Sequence, residues 1–268
     1  MVLLLAAGLG LAAPVTYATV DGQAVQLEAW HPEGEGTHPG VLLIHGGGWR
    51  MGGIEDYDQT AAGLAAQGLV AVSTAYRLSQ DAPWPAQQED VGCALRWMRA
   101  HAADLHLDPT RIAAVGYSAG GHLALSLSEH PQPSPPWCAW AAEDGTVQAA
   151  VSLAGTSDLW LTYQLTIPWA RRKIRQLVGH SALAPDRAVR AEILEASPLT
   201  WVDEAGPPVL QVLGALDTLV PPAVGRSFDD ALARAGRAHF LEIKPGADHG
   251  GVDQVDNWLP FVRAVFGL

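Results

Sequence analysis

Arg111-Ile112-Ala113-Ala114-Val115-Gly116-Tyr117-Ser118-Ala119-Gly120-Gly121-His122-Leu123-Ala124-Leu125 is the stretch on which the reading of this chain turns. Ile112 to Gly116 reads as a strand, and Gly121 to Ser128 has the apolar spacing of a helix. Between them Gly116-Tyr117-Ser118-Ala119-Gly120 fits G-x-S-x-G. Five loosely specified positions occur by chance, so the pattern alone is weak. The strand before it and the helix after it supply the context of a nucleophile elbow. A turn that sharp forces strained backbone angles on its serine, and flanking glycines let neighbouring segments approach without a Cβ clash. Ser118 is therefore the expected nucleophile. The plainer alternative is a glycine-rich turn holding an ordinary serine.

Working outward, strands and helices alternate along most of the chain. That rhythm predicts an α/β fold with a mostly parallel, eight-stranded sheet covered by helices on both faces. Gln23 to Trp30 reads as an early edge strand, and Gly40 to Ile44 as a central one. Further strands are expected at Leu69 to Ala75, Val147 to Leu153, Pro208 to Leu213 and Ala238 to Ile243. Helices are expected at Tyr57 to Gln67, Pro85 to Leu105, Ser227 to Ala235 and Val255 to Phe266. Two stretches break the rhythm. Residues 131–144 hold four prolines with Trp137 and Trp140, and fit a surface insertion. Residues 158–200 carry a basic cluster, Arg171, Arg172, Lys173 and Arg175, and fit a small cap or lid over a pocket. Trp160 and Trp169 fall in this second stretch. Aromatic rings in the two stretches either stack on sugars or aromatic acyl groups, or simply pack cap against core.

A serine hydroxyl needs a base at neutral pH. His249 is the expected base, in the loop Gly246-Ala247-Asp248-His249-Gly250-Gly251 after the last strand. His239, His101, His106, His130 and His122 have structural or surface readings. Asp217 follows the strand at 208–213 and is the expected orienting acid, with Asp158 and Asp248 as competitors. The order Ser118, Asp217, His249 is the order Ser…Asp…His of this type of site. His45-Gly46-Gly47-Gly48-Trp49 follows the central strand. Its consecutive glycines suit an oxyanion hole made by the backbone N–H groups of Gly47, Gly48 and Ala119. A phosphate-binding loop is disfavoured, because no Lys-Ser/Thr pair follows and the G-x-G-x-x-G spacing is absent.

The chain has 268 residues, 49% of them hydrophobic, and a formal net charge of −12. One domain spanning 13–268 is expected at this length. The acidic balance disfavours nucleic-acid binding, which rests on Lys and Arg. Val2 to Ala13 is an uncharged apolar run, too short to span a bilayer. It reads as a secretory signal peptide over 1–12, with cleavage after Ala12, although its only positive charge is the α-amino group. A secreted or periplasmic location follows, with a cytoplasmic one as the alternative and no stable membrane insertion. Cys93 sits in a helical pattern and reads as a small buried apolar residue rather than as a disulfide partner of Cys138. No cluster has metal-ligand spacing, so no metal is expected.

His45-Gly46-Gly47-Gly48-Trp49-Arg50-Met51-Gly52 with Gly116-Tyr117-Ser118-Ala119-Gly120-Gly121 resembles the α/β-hydrolase esterases related to hormone-sensitive lipase. It is closer to the branch of bacterial acetyl and feruloyl esterase-like (BD-FAE-like) proteins. Asp108-Pro109-Thr110-Arg111-Ile112 and Ala196-Ser197-Pro198-Leu199 add to the resemblance, which runs from about Val15 to Phe266. It implies a serine carboxylesterase without a cofactor, acting on short acyl esters. Small-molecule and polysaccharide-linked esters are the substrates it brings into view. It also implies that Trp49 and the 158–200 segment help line the pocket, with Tyr117 beside them as a substrate-binding residue. Arylformamidase or a related amide hydrolase would use the same triad. A non-catalytic binding protein of this fold is the third reading. Oligomeric state is not set by the sequence.

Overall fold

The computed structural model describes residues 13–130, 133–180 and 186–268. Residues 1–12, read above as a signal peptide, Pro131 and Gln132 of the insertion, and residues 181–185 lie outside the described residues.

Eight strands form one sheet: β1 Val15–Val20, β2 Gln23–Trp30, β3 His38–Ile44, β4 Val70–Thr74, β5 Leu107–Tyr117, β6 Ala149–Leu153, β7 Val209–Gly214 and β8 His239–Lys244. Their order across the sheet is β1-β2-β4-β3-β5-β6-β7-β8. The β1–β2 and β2–β4 pairs are antiparallel and the other pairs are parallel. Helices α1 Asp58–Ala65, α2 Ala86–Ala100, α3 Ala119–Glu129, α4 Leu159–Leu165, α5 Pro168–Leu177, α6 Asp186–Glu195, α7 Pro222–Arg234 and α8 Leu259–Phe266 follow in chain order.

The two-residue period of a strand puts alternate side chains on opposite faces, which explains the near-continuous apolar runs in the central strands. Leu42 and Ile44 of β3 join one buried cluster with Val91, Leu95 and Met98 of α2 and Leu123 of α3. Val41 and Leu43 join the opposite cluster with Leu64 of α1 and Val262 and Phe266 of α8. Both faces are therefore filled, and the central strands sit where water does not reach.

Two expectations are corrected. The strand at Gln23–Trp30 is not the edge, because β1 lies outside it. Asp21 and Gly22 join the two strands with φ of 51° and 81°. That is the left-handed geometry of a two-residue hairpin turn, for which Asp-Gly is a preferred sequence. The apolar run just before Val15 hid this strand, although the Asp-Gly signal was present. The second correction is Cys93. It is fully buried, as read, but it is joined to Cys138 by a disulfide. The bond ties the middle of α2 to the tryptophan-rich insertion, a proximity that no local pattern announces. Smaller differences lie at element ends: the helix expected to reach Leu105 stops at Ala100, and the one expected from Ser227 starts at Pro222.

Candidate active site

The loops after β3, β5, β7 and β8 all leave the same end of the parallel sheet, the carboxyl end, where open α/β sheets hold their sites. Ser118 stands between β5 and α3 with φ 53° and ψ −115°. Few residues other than glycine hold such angles, and the surroundings must over-determine them. Here the Ser118 N–H donates to the Leu153 carbonyl at 2.7 Å, and the Ser118 carbonyl accepts from the His122 N–H at 3.1 Å. A Cβ on Gly120 would overlap the Ile44 carbonyl oxygen, so only glycine lets α3 start this close to β3.

His249 lies in the loop after β8, its Nε2 2.8 Å from the Ser118 hydroxyl and its Nδ1 2.7 Å from Asp217 Oδ2. Asp217 is buried, and its other oxygen accepts from the N–H groups of Leu219 (2.7 Å) and Val220 (2.9 Å). Three hydrogen bonds thus fix the carboxylate in direction. The competing acids have other work. Asp158 caps α4 by accepting from the Leu161 N–H at 2.9 Å, and Asp248 accepts from the Gly250 N–H at 3.0 Å. His239 bonds the Arg237 carbonyl and pairs with Asp229, away from these loops.

The loop after β3 turns through left-handed angles at Gly47 (φ 95°), Gly48 (62°) and Trp49 (59°). The Tyr76 hydroxyl lies 3.1 Å from the His45 carbonyl oxygen and 3.0 Å from that of Gly46. Burial holds this phenol protonated by raising its pKa well above 10. With those carbonyls held on Tyr76, no hydrogen bond among the described residues occupies the N–H of Gly47 or Gly48. Ala119 is the first residue of α3, so its N–H has no intrahelical partner.

Sequence reasoning passed over two residues that shape this loop. Tyr76 is one; its only signal was its place just after β4, beside β3. The other is His122, read as a packing residue. It is buried, and it also organises the loop: Trp49 Nε1 donates to its Nδ1 at 3.3 Å, and its Nε2 bonds the Ala196 carbonyl at 2.7 Å. That pattern requires the neutral ring with the proton on Nε2, and burial agrees by lowering its pKa to about 4. Trp49 is therefore held as much by this bond as by the cavity it lines.

Ser118 and His249 open on a cavity of about 200 Å³ that is shared with Trp49 and Tyr117 and with Trp169 and Lys173 of α5. The Tyr117 hydroxyl also donates to the His249 carbonyl at 2.9 Å, linking the turn at Ser118 to the loop after β8. The 158–200 segment thus contributes α4, α5 and α6, and the first two reach the cavity. Its basic cluster divides by helix face. Arg171 fastens the α4–α5 corner through the Thr166 and Gln164 carbonyls, and Arg171 and Arg175 both lie over the Tyr163 ring. Lys173 faces the cavity with Trp169. Of the four tryptophans in the irregular segments, Trp169 reaches the cavity, while Trp137 and Trp140 pack beside Arg77 and His101. Among the described residues no cluster of His, Cys, Asp or Glu is arranged to hold a metal ion.

A parallel sheet covered on both faces, with a strained Ser118 at the sharp turn after β5, defines the α/β-hydrolase fold. The chain belongs to the BD-FAE family, whose pattern matches residues 27–232. Esterase LipC of Mycobacterium tuberculosis is 31% identical over 255 residues, covering 86% of this chain and 58% of that protein. The chain spans about half the length of the curated relatives it matches. Among solved structures, the thermophilic esterase Est2 of Thermogutta terrifontis, bound to propionate, superposes with a TM-score of 0.77 at 26% identity, covering 97% of this chain and 93% of that one. A bifunctional GH43-CE protein of Bacteroides eggerthii gives a TM-score of 0.79 at 25% identity, covering 90% of this chain and 36% of that one.

Proposed function

We propose that this protein is a serine carboxylesterase for short-chain acyl esters, with Ser118, His249 and Asp217 as its triad. The observation that carries the reading is the unbroken line of hydrogen bonds from Asp217 through His249 to Ser118, ending in a small cavity. His249 takes the Ser118 proton as the oxygen attacks the ester carbonyl. The developing oxyanion rests on the N–H groups of Gly47, Gly48 and Ala119, which are unoccupied and already oriented by Tyr76 and by the start of α3. His249 then protonates the departing alcohol. A water deprotonated by His249 releases the acid from the acyl-enzyme, and Asp217 steadies the imidazolium in each half-reaction.

A cavity of about 200 Å³ lies below the range of about 300–1,000 Å³ common for ligand pockets, which favours acetyl to butyryl groups over a feruloyl group. Acetyl esters on plant polysaccharides fit such a site. A disulfide persists in oxidising compartments, so the Cys93–Cys138 bond supports export of the protein.

The test is hydrolysis of 4-nitrophenyl esters from acetate to palmitate, with acetylated xylan and methyl ferulate beside them. Activity should fall steeply beyond butyrate or hexanoate, and Ser118→Ala should remove it. A variant that kept near-wild-type acetate hydrolysis would refute the assignment of the nucleophile.

A further inference from the structure

Lys173 is the charged side chain of the cap that faces the cavity, and the proposed esterase cycle gives it no task. It sits on α5 one turn from Trp169, with which it shares the cavity-facing side of the helix. Its ammonium lies over the Trp169 ring, 5.0 Å from the centroid. Its stem lies directly above Gly48: a Cβ built on Gly48 would stand 2.7 Å from Lys173 Nζ. The ammonium is thus held beside the loop that faces Ser118, in a cavity whose walls are otherwise mostly apolar.

Arg50 follows the same loop, and neither Lys173 nor Arg50 has a carboxylate partner among the described residues. Burial, and then the charge of Arg50, lower the Lys173 pKa, as expected for two cations brought together without a counter-ion. On the same helix Arg171 and Arg175 lie over the Tyr163 ring instead. Leaving an ammonium partly desolvated and unpaired is costly, and the cost is recovered when a ligand brings the missing anion.

We propose that Lys173 is a specificity-determining residue that binds a carboxylate carried by the ester substrate. The inference rests on the esterase reading of the same cavity. Its substrate class is an ester with a free carboxylate a few bonds from the scissile carbonyl. The carboxylate sits either on the acyl side, as in a dicarboxylic acid monoester, or on the alcohol side, as in an ester of a hydroxy acid or acidic sugar. It would lie against the ammonium while Ser118 attacks.

The experiment measures kcat/KM for matched pairs, one anionic and one neutral, in the wild type and in Lys173→Gln and Lys173→Arg. Ethyl hydrogen succinate against ethyl butyrate places the charge on the acyl side. Acetyl release from 4-acetoxybenzoate against its methyl ester places it on the alcohol side. The expected result is that one pair shows a preference for the anion. In Lys173→Gln its anionic-to-neutral ratio should drop by about 10- to 100-fold, the scale of one charge-assisted contact. Lys173→Arg should restore most of the ratio, and raising the salt should weaken the wild-type preference. A ratio unchanged in Lys173→Gln for both pairs would overturn the proposal, as would equal losses on the anionic and neutral members. Absence of turnover on all four esters would instead count against the esterase reading itself.

Discussion

Trp49 has φ 59°, an angle that no tryptophan adopts without help. Its indole bond to His122 and the Ser79 N–H, which donates to its carbonyl at 2.7 Å, supply that help. The glycine loop after β3 is thus shaped by residues outside itself, Tyr76 and His122 foremost. Tyr76→Phe should lower kcat on acetate esters by about 10-fold with a smaller change in KM, because the loop's donors matter most when the oxyanion forms. Steady-state kinetics at fixed pH would measure the split. At Asp217 the loss should be larger. Asp217→Asn cannot stabilise the imidazolium, and kcat should fall by about 10⁴-fold while the fold persists. Equal activity of the two proteins would remove Asp217 from the triad. Gly120→Ala tests the elbow itself: a methyl there meets the Ile44 carbonyl, so the variant should fail to accumulate as a folded protein.

At the scale of elements, helix α5 and the insertion after α3 each do work that their irregular sequence did not specify. Trp169 of α5 is half exposed and lines the cavity. Trp169→Ala should lengthen the acceptable acyl chain, visible as a rise in hexanoate relative to acetate hydrolysis. The insertion is fastened by Cys93–Cys138, which closes a separation of 45 residues. A loop of that length corresponds to about 4 kcal/mol of denatured-state entropy. Cys93→Ala with Cys138→Ala should therefore lower the unfolding free energy by up to that amount in urea melts. Reductant should destabilise the wild type and leave the double variant unchanged.

The whole molecule carries a pH dependence traceable to His122. Burial lowers its pKa from 6.5 to about 4 in the folded state. The unfolded chain therefore takes up this proton near pH 6.5, and the folded chain only near pH 4. Above pH 6.5 this histidine costs nothing. Between pH 6.5 and 4 the unfolded state gains protons first, and stability falls by up to about 3 kcal/mol as acid is added. Urea denaturation at pH 7 and pH 5 should show the loss. His122→Gln, which keeps a donor for the Ala196 carbonyl, should flatten the slope. A slope unchanged in that variant would place the acid sensitivity elsewhere.

The sheet and the triad candidates were legible in the sequence for one reason: their signals are local. Buried parallel strands read as apolar runs, the elbow needs glycines at fixed offsets from Ser118, and Asp217 and His249 each follow directly on a strand. What is carried by residues far apart in the chain was not legible. The partnership of Tyr76 with the glycine loop, the grip of His122 on Trp49, the disulfide between α2 and the insertion, and the placement of Lys173 over Gly48 all join segments separated by tens of residues or more. The basic cluster makes the contrast plain. Four cations in five positions look alike in sequence. Only the helical turn of α5 against the cavity separates Arg171 and Arg175, which hold the cap together, from Lys173, which faces the serine's side of it.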